Sequence, residues 1–579
     1  MDSLLNDGLS ATWFVFALFG AYGLGSLTGS KRVAERVFIG LGVNAALLVP
    51  IQFVAPSMVV HVATLITIFG FFILIARRLK SAPHRPKTLL ETLRLFPASH
   101  SVVRHLAEVL TLNRATFFSA AASFALTFWL YPTWYIFENH DLIYFGWLPS
   151  LLNNGTMSVD FSVPLTMGAT NSLSSLFLAP LASPFHQITF LDIMLTRALF
   201  VNLFVFLIIR RLASGQPSQE VWLLTLSIGA ALIIWGPEWS YTMMISSFVP
   251  AIGLALVALS MIHKEWSKDE IFWLFTIVGL SKAPIVAVSI LTLMFLVFSR
   301  RWRPKWYTVL ASGTLGVLSL MTWLLAPRGA INYETTFSVF GIWVEREPSF
   351  TITLRAYDFA ASFAALGGWI ADYPTKLINV GLPDWDFPVQ VAFIAFSIVW
   401  MLVKYFLVYG VVRAKYERQV FPLDIWVLGS AVSILVVRNG QDLVLSHQAH
   451  AFVLTAIPTS LLAVSYWCNI WNSGSDGKVK RRLQTTISRV SLAAIVLSLG
   501  FGAGTSNWYF RQQSDSAISL QEAQASFEIL QLSEDNFIVG SSLPYEKLQV
   551  IASLSGSKLE NRNPAEVSIV DVFLIPKRD

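Results

Sequence analysis

The sequence predicts an all-α polytopic membrane protein with about 14 transmembrane helices, followed by a small external α/β appendage at its C-terminus. Hydrophobic residues make up 55% of the 579 residues, charged residues make up only 13%, and the mean hydropathy is +0.60. Runs of about 20 apolar residues, the length that crosses a hydrocarbon core, recur up to residue 506. This composition excludes an ordinary soluble enzyme and a disordered chain, and a single cysteine, Cys468, excludes a disulfide scaffold.

The apolar runs give the order of the predicted helices along the chain. Three runs precede a basic loop at residues 77–114, and the others follow it. The first run is too long for a removable signal peptide and lacks the small-residue cleavage site of one. The runs lie near residues 11–29, 36–54, 57–76, 115–135, 189–209, 221–236, 243–262, 306–325, 389–411, 422–436, 450–471 and 487–506, with a further pair within 271–299.

The pair within 271–299 is predicted from a single apolar stretch that has a break in its centre. Both flanking loops are basic and belong to the same side of the membrane, so the stretch between them crosses twice or re-enters. We place the break at Ser281-Lys282-Ala283-Pro284, because proline interrupts a helix and lysine resists the bilayer core.

The distribution of lysine and arginine sets the predicted orientation. Alternate loops up to residue 482 carry 26 Lys and Arg, whereas the opposite loops up to residue 449 carry five. Cationic loops stay in the cytoplasm, so the N-terminus and residues 507–579 are predicted to be external. The cations do not gather on a soluble face, and we therefore expect no nucleic-acid partner.

Two external loops, 136–188 and 326–388, are much longer than ordinary connections and are where function is expected. In the first, residues 141–155 predict a short amphipathic helix on the membrane, with Phe145 and Trp147 as interfacial anchors and Asn-Asn-Gly as its end. The tail 507–579 contains one amphipathic helical stretch and several short apolar runs, which predict the α/β appendage.

Two acids stand at the start of the first long loop, directly after the fourth apolar run. Glu138 and Asp141 lie between aromatic residues, among them Trp134 and Tyr144. Desolvation at such a helix end raises the pKa of a carboxyl group toward the range of a general base. For either acid, a solvated loop carboxylate without function is the simpler alternative.

This arrangement resembles the GT-C superfamily of polytopic membrane glycosyltransferases, which use polyprenyl-phosphate sugars. The shared features are an aromatic-rich helix end, an acidic motif opening the first large external loop and a surface-lying helix. The resemblance implies a GT-C-like core over residues 115–506, with residues 1–114 as three additional helices and a basic loop. It also implies that Asp141 acts as the catalytic base and Glu138 as the second acid. The adjacent Asp-Glu pair of many members is absent here, so which acid serves as base stays open.

Two further segments are similar to that superfamily. Lys282 in GLSKAPIV resembles the lysine of short paired helices midway through the core, and SHQAHAFVLTAIPTSLLA, with His447 and His450, resembles a late histidine-containing segment. The resemblance also allows a Mg or Mn ion held partly by Asp141. His447 and His450 have a spacing compatible with a metal site, with Asp442 as the one further ligand nearby.

A lipid-linked donor requires a cation for its phosphate, preferably an arginine that binds two oxygens at once. Arg438 is our first candidate because it follows a predicted span and shares a loop with His447. Arg328, Arg346 and Arg355 are the other external arginines. An arginine at a helix end can also simply reach the lipid headgroups.

The short turn Trp-Gly-Pro-Glu-Trp-Ser-Tyr provides a carboxylate between aromatic faces, which suits a sugar ring. Its candidate residues are Glu238, Trp239 and Tyr241, although an interfacial aromatic belt explains the aromatic residues equally well. Arg197 falls inside a predicted span, so we expect it to face the bundle interior and to pair with Asp192 or another buried acid.

The sequence thus favours an integral membrane glycosyltransferase of cell-envelope polysaccharide biosynthesis. It would transfer a sugar from a polyprenyl-phosphate carrier to a glycan, lipid or protein acceptor, in the bacterial inner (plasma) membrane with its site facing outward. One alternative is an O-antigen polymerase or ligase-type enzyme, which relies on Arg and His without an acidic base. The other is a transporter or flippase of a lipid-linked substrate, for which the sequence shows no internal repeat.

Overall fold

In a computed structural model of the chain, the part that can be described is mostly helical. Bounds are given below for α1–α11 and β1–β9, numbered in chain order. The structure describes residues 2–30, 32–81, 136–137, 147–155, 172–182, 184–186, 188, 190–213, 248–262, 267–281, 283–300, 302–325, 336–339, 342–345, 351–354, 421–439, 518–519, 538–541, 558–559 and 572–574.

The helices of the described part fall close to the predicted apolar runs. Three short 3-10 turns, Ser26–Thr28, Pro56–Met58 and Ala179–Leu181, connect or follow them. The α-helices are α1 Asp2–Gly25, α2 Val33–Val54, α3 Val59–Ser81, α4 Trp147–Asn154, α5 Ser172–Leu176, α6 Phe190–Ala213, α7 Phe248–Ile262, α8 Lys268–Leu280, α9 Ala283–Phe298, α10 Trp306–Leu325 and α11 Phe421–Val436.

Three of these helices are long and apolar enough to cross a membrane. Their candidate spans are Gly8–Thr28, Val33–Gln52 and Pro56–Arg77. At 1.5 Å per residue each is about 30 Å long, which matches a hydrocarbon core. Helix α1 begins well before the predicted residue 11, because the polar residues that precede the apolar run can continue a helix in water.

Small residues allow the first three helices to approach closely. A methyl group added to Gly23 of α1 would collide with the carbonyl group of Gly70 in α3, and one added to Gly40 of α2 would collide with the carbonyl group of Ala21 in α1. Gly29, with a φ of 80°, permits the left-handed turn between α1 and α2. Helices without a hydrophobic driving force between them commonly pack through such small residues.

The predicted pair within 271–299 is a hairpin of two short helices. Helix α8 ends at Leu280 and α9 begins at Ala283, so the chain breaks where Lys282 and the following proline predict. A methyl group at Gly279 would collide with Ser289, because α9 folds back against α8. With 13 residues, α8 is about 20 Å long, which is shorter than a hydrocarbon core.

Helix α2 lies inside the bundle rather than at its edge. It contacts α1, α3, α5, α8 and α10. Phe38 of α2 is fully buried, and its ring lies 5.3 Å from that of Phe177 and 6.0 Å from that of Phe204. Phe200 and Phe248 extend this aromatic core toward α6 and α7.

Short strands occur in the two long loops 136–188 and 326–388, directly after α11, and in the tail. A four-stranded antiparallel sheet has the order β4-β3-β2-β5, and a three-stranded parallel sheet has the order β8-β7-β9, while β1 pairs with β6. The strands are β1 Ile136–Phe137, β2 Thr336–Val339, β3 Ile342–Glu345, β4 Thr351–Leu354, β5 Val437–Asn439, β6 Ile518–Ser519, β7 Ile538–Ser541, β8 Lys558–Leu559 and β9 Val572–Leu574.

Several predictions fall where the structure gives no description. The apolar runs 115–135, 221–236, 389–411, 450–471 and 487–506 lie outside the described residues. The total of about 14 helices, the GT-C-like core and the α/β character of the tail therefore stay predictions.

Candidate functional site

In the described part of the chain, the loops contact one another at the two ends of the helix bundle. We call the outer end the region where residues 8–13 and 55–58 meet α4 and residues 179–182, 184–186, 188 and 190–192. We call the basic end the region where residues 26–30, 32–36, 77, 211, 260, 267–270 and 305–308 meet. The count of Lys and Arg predicts the same grouping of loops.

At the outer end, α4 confirms the helix predicted in the first long loop over the residues that are described. It runs from Trp147 to Asn154 and ends at Gly155, which has a φ of 65° and donates its N–H to the carbonyl oxygen of Leu151 at 3.1 Å. The Asn153 side chain donates to the carbonyl oxygen of Ile188 at 2.7 Å and accepts from the N–H of Ile188 at 2.8 Å. These two bonds fix the end of α4 to the segment that leads into α6.

His186 lies between a hydroxyl and a carboxylate at the outer end. Its Nδ1 is 3.3 Å from Ser10 Oγ, and its Nε2 is 3.5 Å from Asp192 Oδ2. The indole N–H of Trp13 donates to the carbonyl oxygen of Pro180 at 3.1 Å. Both distances around the imidazole are long for strong hydrogen bonds, so this group ties α1 to the loop more than it prepares a nucleophile.

The first long loop also contacts the hairpin turn between α8 and α9. Ser174 Oγ of α5 donates to the carbonyl oxygen of Ser281 at 3.0 Å, and both residues are fully buried. Ser281 immediately precedes Lys282 in the sequence. The hairpin therefore reaches the loop that opens with the two candidate acids.

Arg438 is the one predicted site residue whose backbone is described. It lies in β5, opposite Ser338 of β2, so the strand after α11 joins a sheet built from the second long loop. Strand β3 of the same sheet ends at Glu345, the residue before Arg346. The structure thus links the backbone segment of Arg438 to the loop that contains the three other candidate arginines, Arg328, Arg346 and Arg355.

The remaining predicted site residues lie outside the described residues, and their roles stay predictions. Arg197 is described and is 1% exposed, as its position in a span predicts. Within the described part of the chain, no group of three or more His, Cys, Asp or Glu could hold a metal ion. The residues outside the description are Glu138, Asp141, Glu238, Trp239, Tyr241, Lys282, Arg328, Arg346, Arg355, Asp442, His447 and His450.

A buried charged cluster at the basic end was not anticipated from the sequence. Glu35 of α2 forms an ion pair with Arg211 of α6, and the Ser260 hydroxyl of α7 lies 3.0 Å from Glu35 Oε1. The same hydroxyl lies 3.1 Å from Glu270 Oε1 in the first turn of α8. We call Glu35, Arg211, Ser260 and Glu270 the buried cluster; none of the four is more than 9% exposed.

The surroundings of the buried cluster favour a neutral Glu270. Burial, and then the nearby carboxylate of Glu35, raise the pKa of Glu270 to about 7, whereas Ser30, Ser260 and Arg211 act in the opposite direction. Burial also lowers the pKa of Arg32, with a further contribution from the charge of Arg211. Glu270 is therefore poised to gain or lose a proton near neutral pH.

A second set of bonds at the basic end fixes the starts of α8 and α10 to each other. Asp269 Oδ1 accepts from the N–H of Lys305 and from the hydroxyl of Thr308, each at 2.9 Å. The Ser267 hydroxyl accepts from the N–H of Glu270 at 3.0 Å and caps α8. Ser267 and Glu270 have the sequence spacing of a capping box. The Glu270 carboxyl group contacts Ser260, however, and does not complete that box.

Comparison with known protein families and with curated proteins finds no match to this chain. The described part of the chain defines the class of protein: a predominantly helical chain in which three of the described helices are long and apolar enough to cross a membrane. A more specific assignment depends on the sequence pattern and on the contacts between the long loops.

Proposed function

We propose that this chain is an integral membrane glycosyltransferase that uses a polyprenyl-phosphate sugar as donor. The observation that carries the proposal is the bond between Ser174 and the carbonyl group of Ser281. Ser174 belongs to the long loop that begins with Glu138 and Asp141, and Ser281 precedes Lys282. The long loop that begins with these two acids therefore contacts the residue before Lys282, which supports a site that combines an acid and a cation.

The sheet β4-β3-β2-β5 is a second observation that supports the same proposal. It joins the segment of Arg438 to a loop that also carries Arg328 and Arg346. Arginines suit a lipid-linked phosphate, because a planar guanidinium group can donate two parallel hydrogen bonds to its oxygens.

In the proposed reaction, Asp141 removes the proton of an acceptor hydroxyl, with Glu138 as the second acid. The hydroxyl oxygen attacks the anomeric carbon while the bond between that carbon and the phosphate oxygen breaks, which inverts the configuration. The leaving group is polyprenyl phosphate, whose negative charge Arg438 neutralises. Positioning of the two reactants and stabilisation of this charge lower the barrier.

Reconstitution in proteoliposomes with a radiolabelled polyprenyl-phosphate sugar tests the proposal. We expect the chain to consume the donor, and we expect Asp141→Asn to lower the rate by about 100-fold or more. Asp515→Asn in the tail is the matched control, because it makes the same chemical change at a residue without a proposed role. Full activity of Asp141→Asn would favour the polymerase or ligase alternative, and movement of the donor without its consumption would favour a flippase.

A second pair of variants tests the phosphate role of Arg438. We expect Arg438→Met to raise the KM for the donor by about tenfold or more, and Arg438→Lys to restore part of this loss, because lysine keeps the charge without the two-pronged geometry. Arg303→Met is the control, since Arg303 is exposed and its Nε donates to the carbonyl oxygen of Val297 in the last turn of α9. An unchanged KM in Arg438→Met would remove Arg438 from the donor site.

A further inference from the structure

The buried cluster contains one hydroxyl proton between two carboxyl groups. Ser260 Oγ is 3.0 Å from Glu35 Oε1 and 3.1 Å from Glu270 Oε1, and Arg211 Nη2 donates to it at 3.4 Å. A serine hydroxyl has a single proton to donate. The Ser260 hydroxyl can therefore donate to only one of the two carboxyl oxygens. The contact with the other carboxyl group requires a second proton, which that carboxyl group must provide.

The position of that additional proton follows from the ion pair. Glu35 Oε1 already accepts from Arg211 Nη1 in a direct ion pair. Glu270 has no comparable direct ion pair among the described contacts. The additional proton therefore belongs on Glu270, which donates to Ser260 Oγ, while Ser260 donates to Glu35.

The elements packed around Glu270 supply both signs of charge. Glu35 faces it from α2 and Arg211 from α6, and Arg32 lies near both before the start of α2. On α8 itself, the neighbouring Asp269 is bonded to Lys305, just before α10, and to Thr308 in the first turn of α10, and it does not share the cluster. The negative charge of Glu35 and the loss of water both disfavour a second ionised carboxyl group here.

We propose that Glu270 is a proton-binding site that is occupied in the packed state and holds the start of α8 against α2 and α7. Occupancy keeps the Glu270–Ser260–Glu35–Arg211 chain of hydrogen bonds complete. Loss of the proton leaves two carboxylates facing one hydroxyl and weakens the packing of the hairpin α8–α9 at the basic end. The pKa of Glu270, about 7, agrees with this proposal.

Infrared difference spectroscopy on the purified full chain tests the site directly, because a protonated carboxylic acid has its own carbonyl band. Between about pH 5 and pH 9, we expect a band that disappears with a midpoint near neutral pH, well above the ordinary value for glutamate. We expect Glu270→Gln to lack the band and Asp269→Asn, the matched control on the adjacent residue, to retain it.

Two results would overturn the proposal. One is a wild-type chain with no protonated-carboxyl band that titrates in this range, a result that requires no variant to fold. The other is persistence of the band in Glu270→Gln. A further variant, Glu35→Gln, removes the facing negative charge and should lower the proton affinity of Glu270 by about tenfold or more; an unchanged midpoint there would also contradict the site.

Discussion

Glu35 and Arg211 form a buried ion pair between α2 and α6, although 176 residues separate them in the sequence. Both side chains are almost fully removed from solvent. Removal of one partner leaves a buried charge without its partner, which typically costs about 3 to 5 kcal/mol. The pair is therefore one of the contacts that join α2 to α6 in the described bundle.

We predict that Glu35→Gln and Arg211→Met each lower the free energy of unfolding by about 3 kcal/mol or more. The double variant should lose less than the sum of the two, because no charge is left alone. Unfolding of the detergent-solubilised chain, followed by tryptophan fluorescence, measures this cycle. Additive losses would mean that the two side chains do not act as a pair.

We predict that the stability contributed by Glu270 falls as pH rises. The pKa of about 7 in the folded chain lies above the value of 4.5 for an ordinary glutamate, so the folded chain binds more protons than the unfolded chain between these values. The contribution is complete below about pH 4.5 and is lost as pH rises through about 7. The free energy of unfolding of Glu270→Gln should equal that of wild type near pH 5. Above pH 8 it should exceed the wild-type value by on the order of 2 kcal/mol. A constant difference across this range in thermal unfolding would contradict the prediction.

We predict that Gly23→Ala is destabilising, because the added methyl group meets the Gly70 carbonyl group where α1 and α3 pack. Overpacking of this kind costs about 1 to 3 kcal/mol. Gly8→Ala in the same helix is the matched control, since a methyl group there has open space and alanine favours a helix. Equal effects of the two substitutions on the unfolding temperature would show that the close packing of α1 against α3 at Gly23 does not limit stability.

We predict that Ser174→Ala lowers stability by about 1 kcal/mol, because the Ser281 carbonyl group loses a buried hydrogen bond. If the proposed function is correct, it also lowers the rate of sugar transfer, since the turn before Lys282 is no longer held to the first long loop. Ser312→Ala is the control, because the described hydrogen bond of its hydroxyl lies within α10, to the carbonyl oxygen of Val309. A transfer rate that falls equally in both variants would refute the link between the turn and activity.

Hydrophobic run length predicted the helices well because a membrane imposes one length scale. The run 306–325 coincides with α10, and the proline after Lys282 marked the break between α8 and α9. Asn-Asn-Gly marked the end of α4, because glycine adopts the positive φ that ends a helix. Each of these signals is local and can be recognised without knowledge of the tertiary contacts.

The buried cluster could not be predicted in the same way. In the sequence, Glu35 and Glu270 fall in segments predicted as basic loops, where counting Lys and Arg treats them as solvated acids. Their meeting depends on the packing of four helices, which hydropathy does not encode. The outer candidates, Asp141 and Arg438, depend on such packing too, so the composition of their loops suggests a chemistry without determining a geometry.

The central claim is that an outer acid and an outer cation act on one lipid-linked sugar. An experimental density map of the chain with a polyprenyl-phosphate sugar bound tests it most directly. We predict the phosphate within hydrogen-bonding distance of Arg438 or Lys282, and the Asp141 carboxylate facing the anomeric carbon. A donor bound elsewhere, with Glu138 and Asp141 both turned to bulk solvent, would contradict the claim.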